Sequence, residues 1–199
     1  MPNTKSWENV PDKWKQPSTE FDGRIVRNKK ELVTYSSSSH IRIWYNNQAE
    51  GYEQHSHEAL EVFICIQNKY QIRANNREYM LHEGDILMIP PNMLHEYIND
   101  KEGVRFIYLI EMNSFFASHD FKAIEPLFFD AFLCNSTTCP DIYAEIYQLF
   151  MDMNTVYFKK TNFWETIIYS KMYQIFIAHL PRTGTTRYQA RCPARQKAR

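Results

Sequence analysis

Between Gly51 and Ile110 the chain does not run ten residues without a turn signal or a change of face. Short apolar or alternating runs fall at about 52–57, 60–67, 69–74, 77–81, 86–90, 95–99 and 104–112. Asn75-Asn76 separates two of them, and Asn tolerates the left-handed conformation that a two-residue hairpin turn needs. Glu83-Gly84-Asp85 separates two more, with glycine free to take positive φ. Helices need longer uninterrupted periods than these. Many short strands closely spaced by turns specify an antiparallel sandwich or barrel. Upstream, 24–35 reads as one or two short strands and His40–Tyr45 as another, with Ile41 and Ile43 on one face. His40, Arg42 and Trp44 share the other face, which reads as exposed.

The period changes near Ser114. His119–Cys134 is apolar and reads as helical, with Pro126 starting or breaking a helix. Ile142, Ile146, Leu149, Met153 and Val156 recur at helical spacing, as do Trp164, Ile168, Met172, Ile175, Phe176 and His179. The polar turn at 159–162 joins them into a helical hairpin over 141–180. Its stripes must bury against the sheet, each other or a second copy. The outward residues Leu60, Val62, Ile64 and Ile66 also need cover. The expected organisation is a flexible arm (1–20), a β domain (21–113), a helical dimerisation or linker region (114–180) and a basic, disordered tail (181–199).

Charge limits the partners. Six of the 23 basic residues lie in 182–199, which holds no acid, so the rest carries a net charge of −6. An acidic body does not offer a broad nucleic-acid footprint. No run reaches the roughly 20 apolar residues of a membrane span, and the N-terminus lacks an apolar signal core. The four cysteines show no C-x-x-C spacing, so free thiols in a cytoplasmic protein are expected.

His55 and His57 share one face of a strand. Glu61 returns to that face or reaches it from the next strand, and His95 arrives from a distant segment. Three imidazoles and a carboxylate suit Zn²⁺, Mn²⁺, Fe²⁺ or Ni²⁺, with positions left for water or substrate. They equally suit a polar cluster that orients a ligand. Alternation puts Phe63, Cys65 and Tyr97 beside them as an apolar wall.

These residues carry a resemblance to the cupin superfamily. Its second motif, G-x(5)-P-x-G-x-x-H-x-x-x-N, is matched at Gly84, Pro90, His95 and Asn99, with Asn92 for the middle glycine. The first is matched at His55, His57 and Glu61, but Gly51 sits two residues too close and Asn68 replaces the closing glycine. Asn is the next most tolerant residue at positive φ. The resemblance implies a mainly β fold, a jelly roll (double-stranded β-helix), followed here by the C-terminal helical hairpin.

With its arm and hairpin, the chain resembles the N-terminal sensor and dimerisation half of AraC-family transcription regulators over about 20–180. That implies a small-molecule effector held by His55, His57, Glu61, Phe63, His95 and Tyr97. It also implies a homodimer through the helices at 141–180, and DNA contact only through a helix-turn-helix half. Nineteen residues follow Leu180, too few for such a half. Truncation, a reading-frame change and a stand-alone sensor all fit that shortfall. The alternative is a metal-dependent cupin enzyme, a dioxygenase or isomerase, with His55, His57, Glu61 and His95 as ligands and Tyr97 as an acid, base or orienting group.

Overall fold

The structure, a computed structural model, describes residues 25–35, 39–47, 51–98, 103–116, 121 and 128–179. The expected arm (1–20) and tail (181–199) lie outside them. The strands are β1 Ile25–Arg27, β2 Lys30–Leu32, β3 Ile41–Asn46, β4 Tyr52–His55, β5 Leu60–Gln67, β6 Tyr70–Ala74, β7 Arg77–Leu81, β8 Ile86–Ile89, β9 His95–Tyr97, β10 Val104–Ile110 and β11 Phe132–Cys134. The helices are α1 Asn113–Phe116, α2 Tyr143–Lys159 and α3 Trp164–His179. No described helix is long and apolar enough to cross a membrane.

Two antiparallel sheets face one another. One has the order β11-β8-β5-β10-β3 and the other β4-β9-β6-β7, while β1 and β2 form a separate hairpin. From β3 to β10 the chain passes back and forth between the two main sheets, with only the β6–β7 hairpin staying on one side. This is the jelly roll.

β5 is the pivot. Seven of its eight residues are buried, because both its faces are covered. Phe63 and Cys65 turn inward, into a core with Trp44, Tyr70, Ile72, Leu87, Tyr97 and Ile107. Leu60, Val62, Ile64 and Ile66 turn outward, into a second core with Phe106, Tyr108, Phe150, Met153, Ile168, Met172 and Phe176. The helical hairpin therefore covers the outer face of the five-stranded sheet. The Phe150 ring packs 5.1 Å from that of Tyr108. Asp152 and Lys171 bridge the two helices at 2.9 Å.

Positive φ falls where the turns require it. Asn68 and Asn92, which stand in place of motif glycines, sit at φ +68° and +63°. Gly84 is at +88°, and a Cβ there would lie 2.6 Å from the Tyr143 hydroxyl. That hydroxyl donates to the Gly84 carbonyl at 2.9 Å, tying the β7–β8 turn to the start of α2.

Two sequence expectations are corrected. Phe132–Cys134, placed in an apolar helix, is an edge strand paired with β8 as Phe132↔Met88 and Cys134↔Ile86. The apolar run there reflects burial on a sheet, which periodicity cannot distinguish from a buried helix over so few residues. Trp44, placed on an exposed face, is 2% exposed inside the barrel, with the Arg42 guanidinium 4.6 Å over its ring. The flanking Arg and His mask an inward position.

Removing the fully buried ring in Phe150→Ala should cost about 3–5 kcal/mol by chemical denaturation. Phe129→Ala, at a 75% exposed ring, should stay within about 0.5 kcal/mol.

His179 ends α3 with its ring 3.8 Å from Phe132, and burial pushes its pKa down to about 4. A depressed histidine favours the folded state above its ordinary value near 6.5, and that contribution is lost as pH falls toward 4. The melting temperature of the wild type should therefore drop between those pH values more steeply than that of His179→Leu.

Candidate functional site

The inner face of β5 meets β4 and β9 at one end of the barrel. β4 and β9 pair in the register His55↔His95, and Glu61 lies across from them on β5. One ligand atom from each of His55, His57, Glu61 and His95 can be chosen so that all four lie within 4.8 Å of one another. His57 Nε2 is 2.8 Å and His95 Nε2 3.3 Å from Glu61 Oε2. The four side chains are buried.

Local backbone fixes the ring orientations. His55 Nδ1 lies 2.8 Å from the Glu53 carbonyl, His57 Nδ1 3.1 Å from that of Ala59, and His95 Nδ1 2.8 Å from that of Met93. Each partner is two residues away in sequence. A carbonyl only accepts, so each Nδ1 carries the proton and donates it. The Nε2 atoms of His57 and His95 then face Glu61, and that of His55 faces Glu31, each as a lone pair or with a second proton. Burial alone would raise the Glu61 pKa. The charge of His95 and hydrogen bonds from His57 and His95 outweigh it and hold the carboxyl well below the usual carboxylate range.

Whether these residues fit a metal can be tested on the donors themselves. Anchoring Nδ1–H on a carbonyl is how metal-binding histidines are usually set. Glu61 Oε1 is buried and finds no hydrogen-bond partner among the described residues. Ligand atoms about 2.0–2.2 Å from one ion sit roughly 3–4.4 Å apart, so atoms within 4.8 Å of one another lie close to that range. The cluster could thus hold a divalent transition metal through His55, His57, Glu61 and His95. Such an ion would supply Lewis acidity and a coordination position for a small oxygen or nitrogen ligand.

Phe63 and Tyr97 flank the cluster from inside the barrel. Their rings are 5.6 Å apart, with Tyr97 6.3 Å from His55 and 6.1 Å from His95. The Tyr97 hydroxyl is buried without a hydrogen-bond partner among the described residues. Neither ring lines the large cavity outside. That cavity, about 780 Å³, is reached from the cluster at His57 and is bounded by Arg27, Lys30, Glu31, Tyr35, Glu58, Asn92 and Glu111, among others.

Glu31 was not anticipated. The β1–β2 hairpin docks through Lys30 beside Ser56, with Glu31 N–H donating to the Ser56 carbonyl at 2.9 Å. This places Glu31 Oε2 3.2 Å from His55 Nε2, nearly buried. A three-residue K-E-L strand carries no pattern that reveals this. Only the docking of the hairpin shows it.

The sequence model of the AraC-like ligand binding domain matches residues 39–175, from the start of β3 through most of α3. The chain belongs to this family. No curated protein sequence matches it. Among solved structures, this family member is similar to a cupin-2 domain protein of Shewanella frigidimarina, with 20% identity over 37% of this chain and 72% of that one, TM-score 0.34. It is also similar to a conserved protein of Streptococcus pyogenes (13% identity, 36% of this chain, 62% of that one, TM-score 0.32). A third is the oxalate decarboxylase of Bacillus subtilis (14% identity, 38% of this chain, 22% of that one, TM-score 0.33). The AraC-like match covers the jelly roll and the helical hairpin as one unit, so the buried cluster sits in a ligand-binding domain.

His57→Ala and His95→Ala should each weaken Zn²⁺ or Ni²⁺ binding at least tenfold in competition with a chelator dye. Unchanged affinity in both would remove the metal from this cluster. In metal-free protein, Glu61→Gln should cost about 1–3 kcal/mol by denaturant titration, because buried imidazoles lose their carboxylate.

Proposed function

We propose that this chain is the effector-sensing and dimerisation module of an AraC-type transcription regulator. A small molecule binds at the end of the barrel where His55, His57, Glu61 and His95 meet, and the helices at 141–180 carry the dimer contact. The observation that carries this reading is the family match running through β3–β10 and on through α2 and most of α3. An enzyme of the same fold would need the pocket alone. Two buried polar atoms without a hydrogen-bond partner among the described residues, Glu61 Oε1 and Tyr97 Oη, support ligand binding inside the barrel, since buried polar groups usually find a partner. Phe63 supplies the adjoining apolar wall.

The hairpin also supports the dimer. α3 buries Ile168, Met172, Ile175 and Phe176, yet leaves Tyr173 and Ile177 exposed, Ile177 at 64%. Exposed Ile and Tyr on one helix of a packed hairpin suit a second copy. DNA recognition in this reading belongs to a helix-turn-helix half, and the jelly roll acts on it by favouring one arrangement of arm, core and linker.

The metal-dependent enzyme is kept as a second reading because three Nδ1-anchored imidazoles and a carboxylate make a complete donor set. Elemental analysis of untagged protein separates metal occupancy from function. Near one equivalent of Zn, Mn, Fe or Ni marks a resident metal, and turnover lost in both His57→Ala and His95→Ala would mark an enzyme.

The sensor reading expects a dimer by size-exclusion chromatography with light scattering. Ile177→Asp should convert it to monomer with a melting temperature within about 2 °C of wild type. It also expects at least one compound from a panel of sugars, small acids and aromatic compounds to raise the melting temperature in wild type and not in Tyr97→Phe or Glu61→Gln. A monomer with no stabilising ligand would overturn it.

A further inference from the structure

The loop between β11 and α2 contains C-N-S-T-T-C. Cys134 ends β11 and is fully buried, while Cys139 is half-buried just before Pro140 and α2. Both are free thiols, and their side chains are hydrogen-bonded to each other.

The loop is built to keep them together. Asn135 Oδ1 accepts from the backbone N–H of Thr137 at 2.9 Å and of Thr138 at 2.8 Å. The Thr138 hydroxyl donates to the Leu133 carbonyl at 2.8 Å, and Asn135 N–H donates to that hydroxyl at 3.0 Å. Cys139 N–H closes the turn on the Asn135 carbonyl at 3.0 Å. The Cys139 carbonyl then accepts from Ile142 and Tyr143, starting α2.

The two thiols are chemically unequal. The hydrogen bond from Cys134 is the largest influence and, against burial, brings Cys139 down to about 6. Cys134 is pushed well up by its hydrogen bond to Cys139 and by burial. A half-buried thiolate held against a buried partner thiol is the arrangement of an attacking and a resolving cysteine.

We propose that Cys134 and Cys139 form a reversible redox modification site, in which hydrogen peroxide converts the pair to a disulfide joining the end of β11 to the start of α2. The Cys139 thiolate attacks one peroxide oxygen. The S–O bond forms, the O–O bond breaks, and the leaving hydroxide takes a proton to become water. Cys134, losing its proton, then attacks the Cys139 sulfenic sulfur. The S–S bond forms, the S–O bond breaks, and a second water leaves. The two sulfurs together lose two electrons and the peroxide gains them. A dithiol reductant reverses the step. The bond would tie the jelly roll's edge strand to the helical hairpin.

The test uses the full chain exposed to hydrogen peroxide, denatured in N-ethylmaleimide and mapped by mass spectrometry. In the wild type, the peptide carrying both residues should lose two hydrogens and take up no maleimide, regaining two labels after reduction. Cys65, fully buried, should label completely throughout. In Cys134→Ser, Cys139 should stop as a sulfenic acid trapped by dimedone, and in Cys139→Ser, Cys134 should stay a thiol. The proposal is overturned if both wild-type cysteines remain maleimide-reactive. It is equally overturned if Cys139 proceeds to sulfinic acid beside a labelled Cys134, or if Cys139 links to any other cysteine. The wild-type map decides alone should either variant fail to fold.

Discussion

The structure depends on one strand buried on both faces. β5 sends Leu60, Val62, Ile64 and Ile66 to the helices and Phe63 and Cys65 into the barrel. Glu61 sits on the inward side, buried at the level of the histidines. A strand covered on one side only could have alternated with polar residues. Here the polar exception, Glu61, is tolerated because its charge is met by imidazoles. The same register that packs the barrel therefore delivers the carboxylate to the site. Shifting β5 by one residue would exchange its faces, breaking the core and the cluster together.

The site is rigid for local reasons. Each of its three imidazoles is held by a carbonyl two residues from itself, before any ligand arrives. The pairing of β4 with β9 brings two of these pre-set rings together across the sheet. Pre-setting lowers the entropy that a ligand or ion must overcome on binding. The price is buried polar atoms such as Glu61 Oε1, left without a hydrogen-bond partner among the described residues.

Much of this was legible in the residues. The strand series, the hairpin turn at Asn75, the sheet-to-sheet turn at Gly84 and the two helical stripes emerge nearly where period and turn chemistry put them. Asn68 and Asn92 take the left-handed backbone that the missing glycines would have taken. The convergence of His55, His57, Glu61 and His95 follows from strand alternation plus one long-range pairing. Phe132–Cys134 and Trp44 were misread for a common reason. In short segments, burial and period are ambiguous until the neighbouring elements are known.

By itself, the sequence determined the kind of fold, the inward and outward faces of the central strands and the identity of the central donors. These follow from period, turn residues and spacing, which are local properties. Only the tertiary structure decided that the helices cover the outer sheet. Only it brought Glu31 from a separate hairpin onto His55, and set the Cys134 and Cys139 thiols against each other. Such contacts depend on how elements dock and loops close, and docking is a three-dimensional fit that no single segment encodes.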